Sequence, residues 1–166
     1  MNYWLMSLKG NHYHFDLCFK KGVIAIGYYP QGWKLSKNLQ DTDRKEYLDL
    51  WEGWKNSAGK KSLWSFVKEM KNGDIVYIRG KRRGTIAGRG IISSNYKFDL
   101  NLFSDEPEWN EEYNWEHYRE IGWDKDFKKI PEGMGIKGQL AVVEIDKSTI
   151  DMFEKKNSLI PLEIKN

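Results

Sequence analysis

The apolar positions of this chain repeat with two different periods. In six short segments they alternate with polar residues or form a brief continuous run, which is typical of β-strands. The predicted strands are Tyr3–Leu8, Val23–Tyr29, Asp74–Arg79, Thr85–Ile92 with an extended continuation to Phe98, Glu116–Trp123 and Ala141–Ile145. Short strands joined by short connections predict an α+β fold, a small mixed β-barrel of five or six strands with peripheral short helices.

A helical period marks most of the remaining apolar positions. It is clearest over Asp41–Trp54, where four apolar residues fall on one stripe and Asp41 is placed to cap the helix. The other predicted helices cover 13–20, with Phe15, Cys18 and Phe19 facing inward, 64–70, and 148–156, capped by Ser148. We expect loops over 56–61, 101–115 and 131–138, and a tail over 158–166 that can add an edge strand.

Two of the predicted strands form a hairpin with a basic tip. The connection between Asp74–Arg79 and Thr85–Ile92 runs from Gly80 to Gly84 and holds Lys81, Arg82 and Arg83. So short a connection permits an antiparallel pair but no crossover. The three cations can act as a charged tip that blocks edge pairing, or as contacts for phosphate groups. Gly88 and Gly90, inside the second strand, indicate a bend or the close approach of another group.

Composition agrees with one folded domain spanning residues 1–166 that can be the N-terminal part of a longer chain. Hydrophobic residues make up 40% and charged residues 31% of the sequence. The net charge of +3 is unevenly distributed, with a basic segment over 79–89 and an acidic one over 99–126. The single cysteine permits no internal disulfide, and no signal peptide or membrane span is visible. We therefore expect a cytoplasmic protein with no membrane partner.

Candidate catalytic and metal-binding patterns are weak. His12, His14 and Cys18 are zinc-ligand types, but a fourth ligand is missing nearby. Glu69 and Asp74 faintly resemble a nuclease carboxylate set, yet they flank the end of a predicted helix, and we interpret them as solvated. The sequence holds no phosphate loop and no nucleophile motif. It therefore predicts a binding module rather than an enzyme, with no metal and no cofactor.

Four segments resemble a known family. The sequence "WSFVKEMKNGDIVYIRG" followed by "IAGRGII", together with "NYWLMSLKG" and "GVIAIGYY", resembles the EVE domains of the PUA-like superfamily. Within that family it is most similar to the N-terminal DNA-sensing domains of McrB-type, modification-dependent restriction proteins. The resemblance covers roughly residues 2–146 and implies the same small barrel.

The resemblance also implies a set of site residues. In related readers of methylated bases, one pocket wall is a tryptophan after the fourth strand, which matches Trp109, and Trp115 matches a second, structural tryptophan. The opposite wall comes from the end of the second strand, here Tyr28, with Trp33 nearby. Many relatives place tryptophan where this chain has Tyr28, and the acids around Trp109 also depart from the family pattern. The remaining implied residues are Ser7, Leu8 and Lys9 for the pocket floor, and Arg79, Lys81, Arg82, Arg83 and Arg89 for the nucleic-acid backbone.

The function implied is recognition of modified DNA. A methylated base would be flipped from double-stranded DNA into the aromatic pocket, and the longer protein would direct a restriction system and a nuclease subunit to foreign DNA. Two alternatives stay open from the sequence: a PUA-like RNA-binding domain that reads a modified nucleotide, and a domain that binds a small ligand.

Overall fold

A curled mixed sheet is the centre of the computed structural model, which describes residues 1–8, 12–27, 35–80, 85–106, 115–131, 134 and 140–162. Its strands are β1 (Tyr3–Ser7), β2 (Val23–Ile26), β3 (Ile75–Arg79), β4 (Ile86–Ile92), β5 (Lys97–Phe98), β6 (His117–Trp123) and β7 (Val142–Ile145). They follow the order β2-β6-β4-β3-β1-β7, and β5 pairs with β6. Among these pairs β1 and β3 run parallel and the others antiparallel. The predicted small α+β barrel is thereby confirmed.

The basic hairpin is also confirmed. Strands β3 and β4 pair antiparallel, with Ile75 opposite Ile91 and a register shift at Arg79. Gly90 allows β6 to approach closely, because a Cβ on Gly90 would lie 2.7 Å from the Gly122 carbonyl oxygen and within 3 Å of the Ile121 side chain. The glycine therefore marks the close approach of another strand, as its position indicated.

Helices cover both faces of the sheet. They are α1 (His12–Lys21), α2 (Arg44–Leu50), α3 (Ser57–Trp64), which continues into a π-helical turn over Ser65–Glu69, and α4 (Lys147–Lys156). Side-chain oxygens of Asp43, Asn56 and Asp146 cap the first turns of α2, α3 and α4. None of the described helices is long and apolar enough to cross a membrane.

Alternation along the strands divides the apolar side chains between two cores. Trp4 and Met6 of β1 lie in the larger core, which α1, α2 and α3 cover, whereas Leu5 points to the other face, where α4 packs. In β3 the same alternation separates Val76 from Tyr77. Both faces of the central strands are therefore buried, which explains why these strands have continuous apolar sequences.

Buried Arg119 of β6 fixes the end of α3. Its guanidinium donates to the carbonyl oxygens of Phe66 at 2.9 Å, Val67 at 3.0 Å and Ser94 at 3.4 Å. A π-helical turn leaves such carbonyls without the usual helical donors. Burial lowers the pKa of Arg119 to about 10, although Asp74 acts in the opposite direction. The arginine thus joins β6 to the helix that leads into β3.

Several sequence predictions are wrong in detail. Residues 56–61 were expected to be a loop but lie largely in α3, and the extended strand to Phe98 is interrupted after Ile92. Asp43 rather than Asp41 caps α2, and Asp146 rather than Ser148 caps α4. The described part of the tail, 158–162, forms no strand. The cap errors arise because a capping oxygen must reach the amide three residues on, and nearby Asp and Ser residues compete for that role.

Candidate functional site

The ends of β1 and β3 lie side by side because these strands run parallel. Ser7 is in register with Arg79, whose Nη1 donates to the Leu140 carbonyl at 3.3 Å and lies 3.5 Å from Ser7 Oγ. The Arg79 side chain is half-buried, and burial lowers its pKa. Leu8 follows Ser7 and is buried in the larger core. The C-terminal ends of these two strands therefore bring together Ser7, Leu8 and Arg79, three of the predicted site residues. We call this end of the sheet the candidate edge.

The basic hairpin rises from the same edge. The amide of Gly80 donates to the Thr85 carbonyl at 2.9 Å, which closes the base of the hairpin. A Cβ on Gly80 would lie 2.1 Å from Thr85 Oγ1, so a larger residue at this base would require the Thr85 side chain to move. The predicted site residues Lys9, Lys81, Arg82 and Arg83 lie outside the described residues.

A second junction forms where β2 ends and β6 begins. Ile26 pairs with His117, and Ser36 Oγ donates to Glu116 Oε1 at 2.8 Å. The chain on either side of residues 28–34 is therefore held against the first residues of β6. Trp109, Tyr28 and Trp33, predicted to form the pocket walls and mouth, lie outside the described residues.

Trp115 packs inside the protein. It is buried between the rings of His14, at a centroid distance of 4.7 Å, and Phe103, at 6.3 Å. The His14 contact places the first turns of α1 beside the chain that enters β6. Trp115 therefore belongs to the core rather than to a solvent-accessible wall.

Arg89 does not face solvent, contrary to the prediction that it contacts a nucleic-acid backbone. It is 4% exposed, and it donates to Asp124 Oδ2 at 2.8 Å, Glu154 Oε1 at 2.9 Å and the Ile160 carbonyl at 2.6 Å. Tyr77 also donates to Glu154, and burial together with this carboxylate raises the pKa of Tyr77. Arg89 therefore joins α4 to the sheet, and its hydrogen-bonding groups have internal partners.

Asp74, which we interpreted as solvated, is buried. Its carboxylate accepts hydrogen bonds from the amides of Asn2 and Lys71, at 2.7 and 3.0 Å, and from Trp4 Nε1 at 2.9 Å. These three donors come from both sides of the β1–β3 pair. Asp74 therefore fixes the register of the two strands that form the candidate edge.

His117 is buried at the β2–β6 junction. Its Nδ1 lies 2.8 Å from the hydroxyl of Tyr96, which in turn accepts the amide of Leu39 at 3.1 Å. Burial lowers the pKa of His117 to about 4, and the Leu35 carbonyl opposes this only in part. The imidazole is therefore neutral at pH 7 and holds the junction through its hydrogen bond with Tyr96.

This buried histidine predicts a loss of stability in mild acid. Between the unfolded pKa and the folded pKa of about 4, the unfolded chain binds a proton that the folded chain does not, so stability falls as the pH falls. From pH 7 to pH 5 the contribution of His117 is a loss of about 2 kcal/mol. Urea unfolding at both pH values should show it, and His117→Gln, which keeps an acceptor, should lose less stability over the same interval. Equal losses in the two proteins would assign the effect to other groups.

An open cleft of about 250 Å³ lies between α1 and the strands β4 and β6. Phe15, Phe19 and Trp123 form one aromatic wall, with centroids 5.5 to 5.9 Å apart, and Phe127 also lines the cleft. Phe19 is 40% exposed there, although the helical pattern placed it inward. Phe15 packs on Gly88, where a Cβ would lie 2.7 Å from the ring. The only sequence signal for this cleft was the glycine in β4, and its aromatic wall can stack a flat ring.

Two residues of α1 that were considered as zinc ligands, His14 and Cys18, are buried. Burial raises the pKa of the Cys18 thiol to about 12, and His14 packs on Trp115. Among the residues that the structure describes, no three potential ligands of the His, Cys, Asp and Glu types lie close enough to hold a metal ion.

Comparison with known proteins finds a family model and solved structures that are similar to this chain. It is similar to the YTH domain of the Zygosaccharomyces rouxii MRB1 protein, solved in complex with N6-methyladenosine RNA, with 13% identity, a TM-score of 0.47, and coverage of 99% of this chain and 89% of that one. It is also similar to a hypothetical protein from Leishmania major, with 14% identity, a TM-score of 0.49 and 95% coverage of both chains. No curated protein matches significantly. Residues 4–139 match a family model, and the chain therefore belongs to the family described as Domain of unknown function (DUF8426).

Proposed function

We propose that this chain is a non-enzymatic domain that binds nucleic acid and holds one modified nucleotide in an aromatic pocket. The observation that carries the proposal is the shared sheet edge, where Ser7 and Leu8 at the end of β1 adjoin Arg79 and the base of the basic hairpin. The resemblance to EVE domains assigns the pocket floor to the residues after β1 and the phosphate contacts to the hairpin. A nucleotide held at this edge would have its phosphates next to cations.

The proposed chemistry divides between two groups of residues. Trp109 and Tyr28 would stack on the two faces of an unpaired base, which contributes roughly 1–3 kcal/mol per base. A methyl group in an apolar slot would add about 0.8 kcal/mol. Lys81, Arg82 and Arg83 would contact phosphates and supply affinity without sequence preference.

The nature of the nucleic acid is the finer part of the proposal. The resemblance to McrB-type sensors favours a methylated base in double-stranded DNA, flipped from the helix to direct a restriction system. The alternative is a modified nucleotide in RNA, where an unpaired base needs no flipping and its unstacking costs less. Both ligands would use the same edge, and only binding measurements separate them.

A binding panel tests the proposal. One oligonucleotide sequence is prepared as duplex DNA, single-stranded DNA and RNA, each without modification or with a single methylated base, and is titrated between about 50 and 200 mM salt. We expect the affinity for every nucleic acid to fall as salt rises, and one modified form to bind tightest. Salt-independent or absent binding would contradict the nucleic-acid assignment. Salt-sensitive binding without any preference among the modifications tested would contradict the reading of a modified base.

Trp109→Ala should remove the preference for the modified oligonucleotide. A stacked aromatic contributes roughly 1–3 kcal/mol per base, so affinity for the modified oligonucleotide should fall by about tenfold, to the level of weak salt-sensitive binding that makes no distinction between the two forms. Trp109→Phe, which keeps an aromatic face, should retain part of the preference. Trp54→Ala is the matched control, because Trp54 is a half-buried tryptophan in the connection between α2 and α3 and is not among the proposed site residues.

The melting temperature of Trp109→Ala distinguishes a base-binding role for Trp109 from a packing role in the core. If Trp109 reads the base, its replacement by alanine should leave the melting temperature nearly unchanged. A Trp109→Ala protein destabilised by about 3–5 kcal/mol, the usual cost of truncating a buried tryptophan, would show that this residue packs in the core.

A further inference from the structure

Arg44 of α2 lies over the half-buried indole of Trp64 at the end of α3. Its guanidinium carbon is 4.4 Å from the ring centroid, and Lys68 Nζ lies 5.9 Å from the same ring. The Tyr47 ring lies beside both groups, with its centroid 4.9 Å from that of Trp64 and 5.9 Å from the Arg44 guanidinium carbon. The exposed Lys61 precedes Trp64 by one helical turn. Together Arg44, Lys61, Trp64 and Lys68 form what we call the cationic stripe.

The cations of the cationic stripe form no ion pair with another described residue. In the part of the chain that the structure describes, Lys37 pairs with Glu46 and Lys45 with Asp49, but no carboxylate lies within ion-pair distance of the stripe's three cations. The acidic neighbour of Arg44, Asp43, is occupied in capping α2 through the amide of Glu46. Lys68 donates to a backbone carbonyl, that of Gln40.

The contact with the aromatic rings prepares Arg44 for an anion. A guanidinium held against aromatic rings has already lost part of its rotational freedom, so less is lost when its N–H groups bind an oxyanion. A cation–π contact does not remove the charge of the guanidinium, which stays available to an oxyanion. Planar, bidentate donation from arginine suits phosphate groups in particular.

The helix that carries the cationic stripe is fastened to the candidate edge. Ser62 Oγ accepts the amides of Ala141 at 3.0 Å and Val142 at 3.3 Å. The Ala141 carbonyl accepts the amide of Ser7 at 2.7 Å. Lys61, next to Ser62, therefore starts a row of cations close to the edge where the basic hairpin arises. From Lys61 to Lys68 the row extends by roughly 10 Å at the helical rise, enough to reach more than one phosphate.

We propose that the cationic stripe is a second phosphate-binding surface, along which a nucleic-acid strand continues after it leaves the sheet edge. This inference rests on the proposed function. It adds a path for the nucleic-acid backbone over α3, on which the Arg44 guanidinium is already held in place by its contact with Trp64. Because phosphate contacts position a strand without specifying bases, the stripe sets affinity and not the preference for a modification.

The test compares two triple variants that remove the same charge. Arg44→Gln/Lys61→Gln/Lys68→Gln removes the cationic stripe, and Lys147→Gln/Lys155→Gln/Lys156→Gln removes three lysines from α4, which packs on the opposite face of the sheet. Each protein is titrated by fluorescence anisotropy with labelled, unmodified single-stranded RNA and DNA of about 12 nucleotides over a range of salt concentrations. The melting temperature of each variant is measured alongside. Arg44→Lys keeps the positive charge but removes the planar guanidinium.

We expect the stripe variant to lose on the order of tenfold in affinity and its log–log salt slope to become shallower by about 2, since each phosphate contact on a single strand contributes about 0.7. Arg44→Lys should weaken binding to an intermediate degree. The α4 variant should show the smaller change that general charge loss produces. If the stripe and α4 variants bind alike, the inference is overturned while the proposed function stands. If the unaltered protein shows no salt-sensitive binding to either probe, the proposed function fails first, and the inference fails with it.

Discussion

Replacing Arg119 with methionine should lower the free energy of unfolding by about 3–5 kcal/mol, because it removes donors from buried carbonyl groups that have no access to water. The guanidinium donates to Phe66, Val67 and Ser94, and methionine of similar length can donate to none of them. The loss of a buried charge offsets part of this cost, since burial already lowers the pKa of Arg119. Denaturant unfolding measured by circular dichroism gives the difference directly.

A conservative substitution at Arg119 and a control at the next residue show whether the lost hydrogen bonds cause the loss of stability. Arg119→Lys should recover only part of the stability, because one ammonium group cannot reproduce the fork that reaches Phe66 and Val67 together. Glu120→Met changes the next residue of the same strand, which is exposed and pairs with Lys97, and should change stability by less than about 1 kcal/mol. If Arg119→Met matched this control, the π-helical turn would have to be held by other contacts.

Gly90→Ala should destabilise the protein by about 3 kcal/mol, at the upper end of the usual cost of overpacking. The added Cβ would lie 2.7 Å from the Gly122 carbonyl oxygen, which is backbone and can move only if β4 and β6 separate. It would also lie 2.8 Å from Ile121 Cγ1. The whole β4–β6 pairing therefore resists the substitution, and thermal unfolding should report it.

Gly122→Ala is the matched control on the opposite strand. Its Cβ would meet only the Ile91 carbonyl oxygen at 3.8 Å, which is ordinary contact, and its stability should stay close to that of the unaltered protein. Should the two glycine variants unfold at the same temperature, β4 and β6 would be shown to move apart easily, and the close strand approach would not be what Gly90 provides.

The hairpin could be predicted from the sequence because all its determinants are local. Apolar residues of β3, two bounding glycines and a short polar turn specify an antiparallel pair without reference to the rest of the chain. Helix α3 could not, because Ser57, Gly59 and Ser62 interrupt the good helix formers of Ser57-Ala-Gly-Lys-Lys-Ser. Its stability comes from the Asn56 cap and from the contacts of Ser62 with Ala141 and Val142. The contacts of Ser62 reach residues far along the chain, so the local sequence does not reveal them.

The environment of each candidate site residue was not predictable from the sequence. The juxtaposition of Ser7 with Arg79 depends on the parallel pairing of β1 and β3, which joins segments far apart in the chain. Arg89 was misjudged because its neighbours in sequence are glycines and cations, whereas its partners Asp124 and Glu154 come from other elements. Asp74 was misjudged for the same reason. Burial of a charge depends on distant partners, so a charge pattern alone cannot separate an internal ion pair from a phosphate contact.

The position of β1 has a consequence for the order in which the chain folds. Both neighbours of this first strand come later in the sequence, β3 at Ile75–Arg79 and β7 at Val142–Ile145. During synthesis Trp4, Leu5 and Met6 therefore emerge long before either partner strand exists. Such distant pairings give slow folding, on a scale of milliseconds to seconds rather than microseconds. A nascent chain of this protein thus presents an unpaired apolar strand at least until β3 has been synthesised, and exposed apolar surface of this kind favours aggregation during folding.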